Sequence, residues 1–116
     1  MITGAHTVVF SEDPEAARAF FADVLGLRAV DAGGGWLIFA LPPAELACHP
    51  AEGASERHEL FLMCDDLDAT MADLRAKGVE FTAPVGDERW GRVTRLRVPG
   101  GGELGLYEPR HPTAHG

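Results

Sequence analysis

Hydrophobic and polar positions follow two different periods in the first half of the chain. Residues Ala5–Phe10 form a short apolar, β-branched run, which is typical of a strand. Asp13-Pro14-Glu15 then supplies an N-cap, a proline at the first helical position and an acidic first turn. Apolar residues recur at helical spacing after it, at Ala16, Ala19, Phe20, Val24 and Leu27. The pattern predicts a strand followed by an amphipathic helix that ends near Gly26.

Short strands follow this helix, and the same order of elements then recurs. Apolar runs between glycine and proline turns predict strands at Arg28–Asp31, Trp36–Leu41 and Glu45–His49. In the second half, Glu59–Cys64 predicts a strand, and Asp66 begins a helix that runs to about Lys77 and ends at Gly78. Three further strands are predicted at Val79–Phe81, Val93–Val98 and Glu103–Glu108. Each half therefore reads as strand, helix and three strands.

The two halves can be aligned in register. The helix starters Asp13 and Asp66 are as far apart in sequence as His6 and Glu59, which precede them. Two copies of such a half predict an α+β domain with a pseudo-twofold axis. We assign a first module to about residues 3–50, a linker to 51–57, a second module to about 58–109 and a tail to 110–116, all within a single domain over residues 1–116.

Composition narrows the class of protein. The chain has 116 residues, 46% of them hydrophobic, and a formal net charge of −8, which disfavours binding to a nucleic-acid backbone. No apolar run approaches the length of a membrane helix, and the first residues lack the pattern of a secretory signal, so we expect a cytoplasmic protein. Cys48 and Cys64 form no CxxC pair, and we expect them to be buried thiols.

Several motifs resemble the vicinal oxygen chelate superfamily, which is also called the glyoxalase, bleomycin-resistance and dioxygenase superfamily. They are His6-(x)6-Asp13-Pro14-Glu15, Phe20-Phe21-Ala22-Asp23-Val24-Leu25-Gly26-Leu27, Asp65-Asp66-Leu67-Asp68 and Gly102-Glu103-Leu104-Gly105-Leu106-Tyr107-Glu108-Pro109. The resemblance implies two βαβββ modules whose mixed, curved sheets surround a shared cavity, usually in a homodimer. Because members of this superfamily catalyse different reactions or only bind drugs, the fold does not decide the function.

The resemblance also identifies the positions at which related enzymes hold a divalent metal. They correspond to His6, Ala47, Glu59 and Gly105. Alanine and glycine offer no ligand, so both closing-strand carboxylates are missing, and room opens above these two positions. We therefore expect no complete metal site and no cofactor, although a divalent metal remains an alternative with His6, Glu59 and Glu103 as shifted ligands.

Strand alternation predicts which side chains face the cavity. Glu103, Gly105 and Tyr107 share one face of their strand, whereas Leu104 and Leu106 point towards the helices. The candidate ligand-binding residues are His6, Phe10, Trp36, His49, Glu59, Phe61, Met63, Trp90, Glu103 and Tyr107. They combine apolar and aromatic surface with a few polar groups, as in small-molecule pockets. No specific role is expected for His111 and His115, which follow the last strand.

Three functions are compatible with these residues. The first is a metal-independent protein that binds an organic ligand in an aromatic cavity, as drug-sequestering proteins do. The second is a metal-dependent lyase, isomerase or dioxygenase with shifted ligands. The third is a metal-free enzyme in which Glu59 and His6 transfer a proton as an acid/base pair. We favour the first, with a small molecule as partner, no nucleic acid or membrane, and a homodimer as the assembly.

Overall fold

The computed structural model describes residues 7–45, 47 and 58–112, which form an α+β fold. The elements in chain order are α1 (Pro14–Ala19), a π-helical segment (Phe20–Val24), β1 (Ala29–Asp31), β2 (Leu37–Phe39), β3 (Phe61–Met63), α2 (Leu67–Ala76), β4 (Gly86–Glu88), β5 (Gly91–Arg97) and β6 (Glu103–Pro109). The predicted α+β class is confirmed. The second half has the expected order of a strand, a helix and three strands. The linker 51–57 and His6, His49 and His115 lie outside the described residues.

The strands in the described part of the chain form two sheets. Strands β1 and β2 make an antiparallel hairpin, and the larger sheet has the order β3-β6-β5-β4. In this larger sheet β3 is parallel to β6, whereas β6, β5 and β4 are antiparallel to their neighbours. The larger sheet is therefore mixed, and β3 and β4 are its edges.

Local capping sets where both helices begin. The Asp13 carboxylate accepts a hydrogen bond from Ala16 N at 3.1 Å, and the Asp66 carboxylate accepts one from Ala69 N at 3.0 Å. An oxygen at the N-cap satisfies an amide that would otherwise have no partner. Both predicted helix starts are confirmed. The first helix widens into the π-helical segment, where Leu25 N donates to Phe20 O at 3.1 Å, five residues back.

One hydrophobic core lies between the helices and the larger sheet. Its buried members are Ala17, Phe20, Leu67, Met71, Leu74, Leu96, Val98, Leu104 and Leu106. Leu104 and Leu106 point to the helix side, as the alternation predicted, and Leu96 pairs with Leu104 on the neighbouring strand. The opposite face of the sheet is thereby left for the candidate site.

Two predicted strands of the first module differ from the structure. Residues 7–10 belong to no strand and are exposed, and Glu45 and Ala47 are likewise outside any strand. Isolated apolar runs have strand propensity, but a strand forms only where a neighbour supplies hydrogen-bond partners. In the described part of the chain, no neighbouring strand pairs with these segments.

The second module differs in one strand. Val79–Phe81 forms no strand and makes an isolated bridge between Phe81 and Leu96, beside which Arg97 N donates to Glu80 O at 3.0 Å and Thr82 N donates to Arg95 O at 2.9 Å. Instead, Gly86–Glu88 pairs with β5 as β4. Nothing in the sequence Gly-Asp-Glu favours a strand, so its pairing with β5 decides this element.

Candidate functional site

The open face of the larger sheet is built by strand register. Phe61 of β3 lies opposite Gly105 of β6, which lies opposite Arg95 of β5. Since directly opposed residues point to the same side, these positions share the face that points away from the core. The next row on that face is Met63, Tyr107 and Val93.

Three aromatic rings contact one another edge to face on this surface. The ring centroids of Phe61 and Tyr107 are 5.9 Å apart, those of Phe61 and Trp90 are 6.3 Å apart, and those of Trp90 and Tyr107 are 5.4 Å apart. Trp90 belongs to the turn between β4 and β5 and is 42% exposed. Edge-to-face packing stabilises the group, which we call the aromatic cluster, and leaves ring surface in contact with solvent.

The ring of Phe61 covers Gly105. A Cβ atom at position 105 would overlap Cδ1, Cε1 and Cγ of that ring, although Gly105 has no positive φ that would require glycine. We expected the missing side chain at Gly105 to open room for a ligand. In this structure the space above Gly105 is filled by Phe61 of the same chain, so that expectation is wrong for this position.

A charged cluster lies beside the rings. Arg95 Nε is 3.1 Å from Glu103 Oε2, and Arg95 Nη1 is 4.0 Å from Glu59 Oε2. The Arg95 guanidinium also lies 5.8 Å from the centroid of the Phe61 ring, within the range of a cation–π interaction. The structure therefore brings Glu59 and Glu103 to one guanidinium.

Tyr107 joins the aromatic cluster to His111. Its hydroxyl lies 3.0 Å from His111 Nε2, and His111 Nδ1 lies 2.9 Å from the carbonyl oxygen of Pro112. A carbonyl only accepts, so Nδ1 donates to it, and in that tautomer Nε2 accepts a hydrogen bond from the Tyr107 hydroxyl. Burial raises the pKa of Tyr107, and the negative charge of Glu45 raises it further. His111, for which the sequence indicated no specific role, thus orients the tyrosine hydroxyl.

Cys64 lies at the end of β3 and is a free, partly buried thiol. Its Sγ donates to the carbonyl oxygen of Tyr107 at 3.6 Å. Burial is the main cause that raises the pKa of this thiol, and the charges of Glu108 and Asp65 add to it. The thiol form is favoured, which opposes a role as nucleophile or metal ligand.

The other predicted site residues have different surroundings. Met63 shares the face of Phe61 and lines a shallow hollow with Cys64 and Glu108. Trp36 is 59% exposed, with the Arg18 guanidinium 5.2 Å from its ring centroid. Phe10 is 89% exposed and borders Gly100–Gly102. Participation of these three side chains in the site stays a prediction, as does that of His6 and His49.

Sequence reasoning missed Arg95 as a site residue. Alternation along Val93–Val98 contains the signal, because Thr94 and Leu96 face the core and Arg95 must then face the opposite side. His111 carried no comparable signal, since it follows the last strand.

The donor set of the described residues does not fit a divalent metal. No group of three or more histidine, cysteine or acidic side chains within residues 7–45, 47 and 58–112 is arranged to hold one. Glu59 and Glu103 face the same arginine, and an aromatic ring covers Gly105. The three-ligand set of His6, Glu59 and Glu103 stays a prediction, because His6 is outside the described residues.

Among the described residues, none of the helices has the length and apolarity needed to cross a bilayer.

Comparisons with known proteins agree with this fold. Over 94% of the chain and 99% of the other protein, it resembles TnmS3, an antibiotic binding protein from Streptomyces sp. CB03234, with 26% identity and a TM-score of 0.64. A glyoxalase/bleomycin resistance protein from the same strain is 27% identical over 85% of this chain and 94% of its own, with a TM-score of 0.59. The lactoylglutathione lyase of Agrobacterium tumefaciens shares the fold at 20% identity and a TM-score of 0.66, over 91% of this chain and 92% of its own.

No curated protein has a significantly similar sequence. The family model of the Glyoxalase/Bleomycin resistance protein/Dioxygenase superfamily matches residues 4–104. This match spans most of the 116 residues and includes both helices and the strands β1 to β5, together with the first two residues of β6. The chain therefore belongs to the glyoxalase/bleomycin resistance protein/dioxygenase superfamily.

Proposed function

We propose that this protein binds an organic aromatic molecule without using a metal ion, and that the aromatic cluster is the contact surface. The observation that carries the proposal is the arrangement of Phe61, Trp90 and Tyr107, which are mutually supported and share the sheet face that the helices leave uncovered. Preformed aromatic surface with a few charged groups is typical of small-molecule sites. The antibiotic-binding TnmS3, at 26% identity over nearly the whole chain, supports the same class of ligand.

Charge favours a cationic ligand over an anionic one. The open face carries the carboxylates Glu59 and Glu103 beside the Arg95 guanidinium, and the whole chain has a formal net charge of −8. A planar cation would stack on the rings and would be attracted to the remaining negative charge. We therefore propose cationic polycyclic aromatic compounds as the first ligands to test.

Tryptophan fluorescence tests this proposal. The chain has two tryptophans, so a Trp36→Phe variant reports on Trp90 alone. We expect its emission to change saturably when cationic acridine and phenanthridinium compounds are added. Phe61→Leu should weaken binding about three- to tenfold, since an aromatic contact contributes ~0.5–1.5 kcal/mol.

The matched control is Trp90→Phe, which retains Trp36, whose ring lies against the Arg18 guanidinium. Its emission should change less than that of Trp36→Phe, because the proposed contact surface contains Trp90 and not Trp36. A flat titration of Trp36→Phe across the whole panel would rule out the proposed contact surface.

We also propose that the working form is a homodimer. Large apolar side chains of the first half, including Phe10, Val30 and Trp36, are exposed, and β3 is an edge of the larger sheet. Exposed apolar patches and unpaired strand edges mark interaction surfaces. A second copy would cover these side chains and enclose the aromatic cluster, which a single chain leaves open.

A further inference from the structure

The Arg95 side chain lies between two carboxylates on the open face of the larger sheet. Its Nε is 3.1 Å from Glu103 Oε2, and its Nη1 is 4.0 Å from Glu59 Oε2. Arg95 is half-buried and the two glutamates are exposed, at 34%, 39% and 37% of their side-chain surfaces. All three are less exposed than the side chains of the neighbouring Arg97–Glu80 ion pair, at 49% and 65%.

We infer that the guanidinium of Arg95 is a built-in cation that takes the place of a divalent metal between Glu59 and Glu103. Guanidinium stays protonated at every physiological pH, so its positive charge is permanent. A metal ion would have to share the same carboxylates while being repelled by the arginine at short range. This inference deepens the metal-independent part of the proposed function, on which it rests, but does not depend on which organic ligand is bound.

Phe61 completes the replacement. Its ring covers Gly105, the position from which the family resemblance expects a closing-strand ligand, and it lies 5.8 Å from the Arg95 guanidinium. Contact with the ring face stabilises the arginine where it meets the glutamates. Phe61 thus covers the position of the closing-strand ligand, and Arg95 supplies the positive charge.

Removing the arginine charge tests the inference. Mn²⁺ is the probe, because carboxylate oxygens suit it, and its binding to the full chain is measured by isothermal titration and electron paramagnetic resonance. We expect Arg95→Gln to bind Mn²⁺ at least about tenfold more tightly than the unmodified protein. Adding Glu103→Gln to Arg95→Gln should abolish the gain, and Arg95→Lys should not bind, since it keeps the charge.

Arg97→Gln is the matched control. Arg97 is on the same strand and pairs with one carboxylate, that of Glu80, at 3.0 Å. Its loss frees a single glutamate and should produce no Mn²⁺ binding beyond that of the unmodified protein. Circular dichroism melting of every variant verifies that the fold is intact, and Arg95→Met, which also removes the charge and should show the same gain in Mn²⁺ binding, is used if Arg95→Gln is unstable.

Three results would overturn the inference. Binding of Mn²⁺ by the unmodified protein that is lost in Glu59→Gln would show that the arginine does not replace a metal. No gain in a folded Arg95→Gln variant would show that the arginine is not what keeps a metal away. Equal gains in Arg95→Gln and Arg97→Gln would show a general charge effect. Fluorescence titration of organic cations remains a separate measurement, so failure here is distinguishable from failure of ligand binding.

Discussion

Tyr107 is the only tyrosine of the chain, and its ring belongs to the aromatic cluster. Because burial and then the charge of Glu45 raise its pKa above the usual value near 10, we expect it to ionise at higher pH than a free tyrosine. Ultraviolet absorbance at alkaline pH reports on this residue alone. Glu45→Gln should lower the pKa but leave it above the ordinary value, since burial remains.

The raised pKa of Tyr107 also makes the free energy of unfolding depend on pH in the alkaline range. A pKa that is higher in the folded than in the unfolded protein stabilises the fold fully below the unfolded value near 10, and this contribution is lost as the pH rises through the folded value. Urea unfolding should therefore show a stability that falls above about pH 10. A Tyr107 pKa equal to that of a free tyrosine would contradict the burial of this side chain in the structure.

The pairing of neighbouring strands, rather than any single residue, determines which side chains meet on the open face. Register places Phe61 opposite Gly105, and the ring needs the space that a missing side chain leaves. We expect Gly105→Ala to lower the free energy of unfolding by about 1–3 kcal/mol, measured by urea denaturation, because overpacking displaces the ring. Combined with Phe61→Leu, the loss should be smaller than the sum of the two single effects.

Gly86→Ala is the control for this substitution. Its added Cβ would meet its nearest neighbours, Glu88 and Val93, at 3.6 Å, an ordinary contact, and it too is in a strand of the same sheet. It should change stability by less than Gly105→Ala. An equal loss in both variants would mean that glycine content alone, and not the Phe61 ring, explains the effect.

The elements differ in how well the sequence predicted them. At Asp13 and Asp66 the helix start depends on a hydrogen bond between the aspartate side chain and the amide three residues later. The local sequence is therefore sufficient to predict where each helix begins. Strand β6 and the side chains on each of its faces were predicted, because side chains alternate between the two faces along this long strand. Residues 7–10 and β4 were not predicted correctly, because strand formation depends on a neighbour that the local sequence does not name.

At the scale of the whole molecule, large apolar side chains of the first half are exposed and are not buried by the second half. We expect small-angle scattering at micromolar concentration to give twice the chain mass of 12.4 kDa. Phe10→Ser should shift the mass towards that of a single chain without lowering the stability of the monomer, because the ring is 89% exposed.

Val85→Ser serves as the comparison for this variant, since Val85 is also an exposed apolar residue but lies in the second half. It should leave the mass unchanged. A single-chain mass for the unmodified protein would contradict the proposed homodimer, while the aromatic cluster and its fluorescence test would be unaffected.

The sequence by itself determined the α+β class, the helix starts and the faces of β6. Each of these follows from local physical signals: capping, periodicity and alternation. Only the tertiary structure decided that Phe61 covers Gly105, that Arg95 joins Glu59 to Glu103 and that His111 meets Tyr107. The first two contacts depend on the register between strands that are distant in sequence, and the third depends on the course of the chain in the four residues after Tyr107.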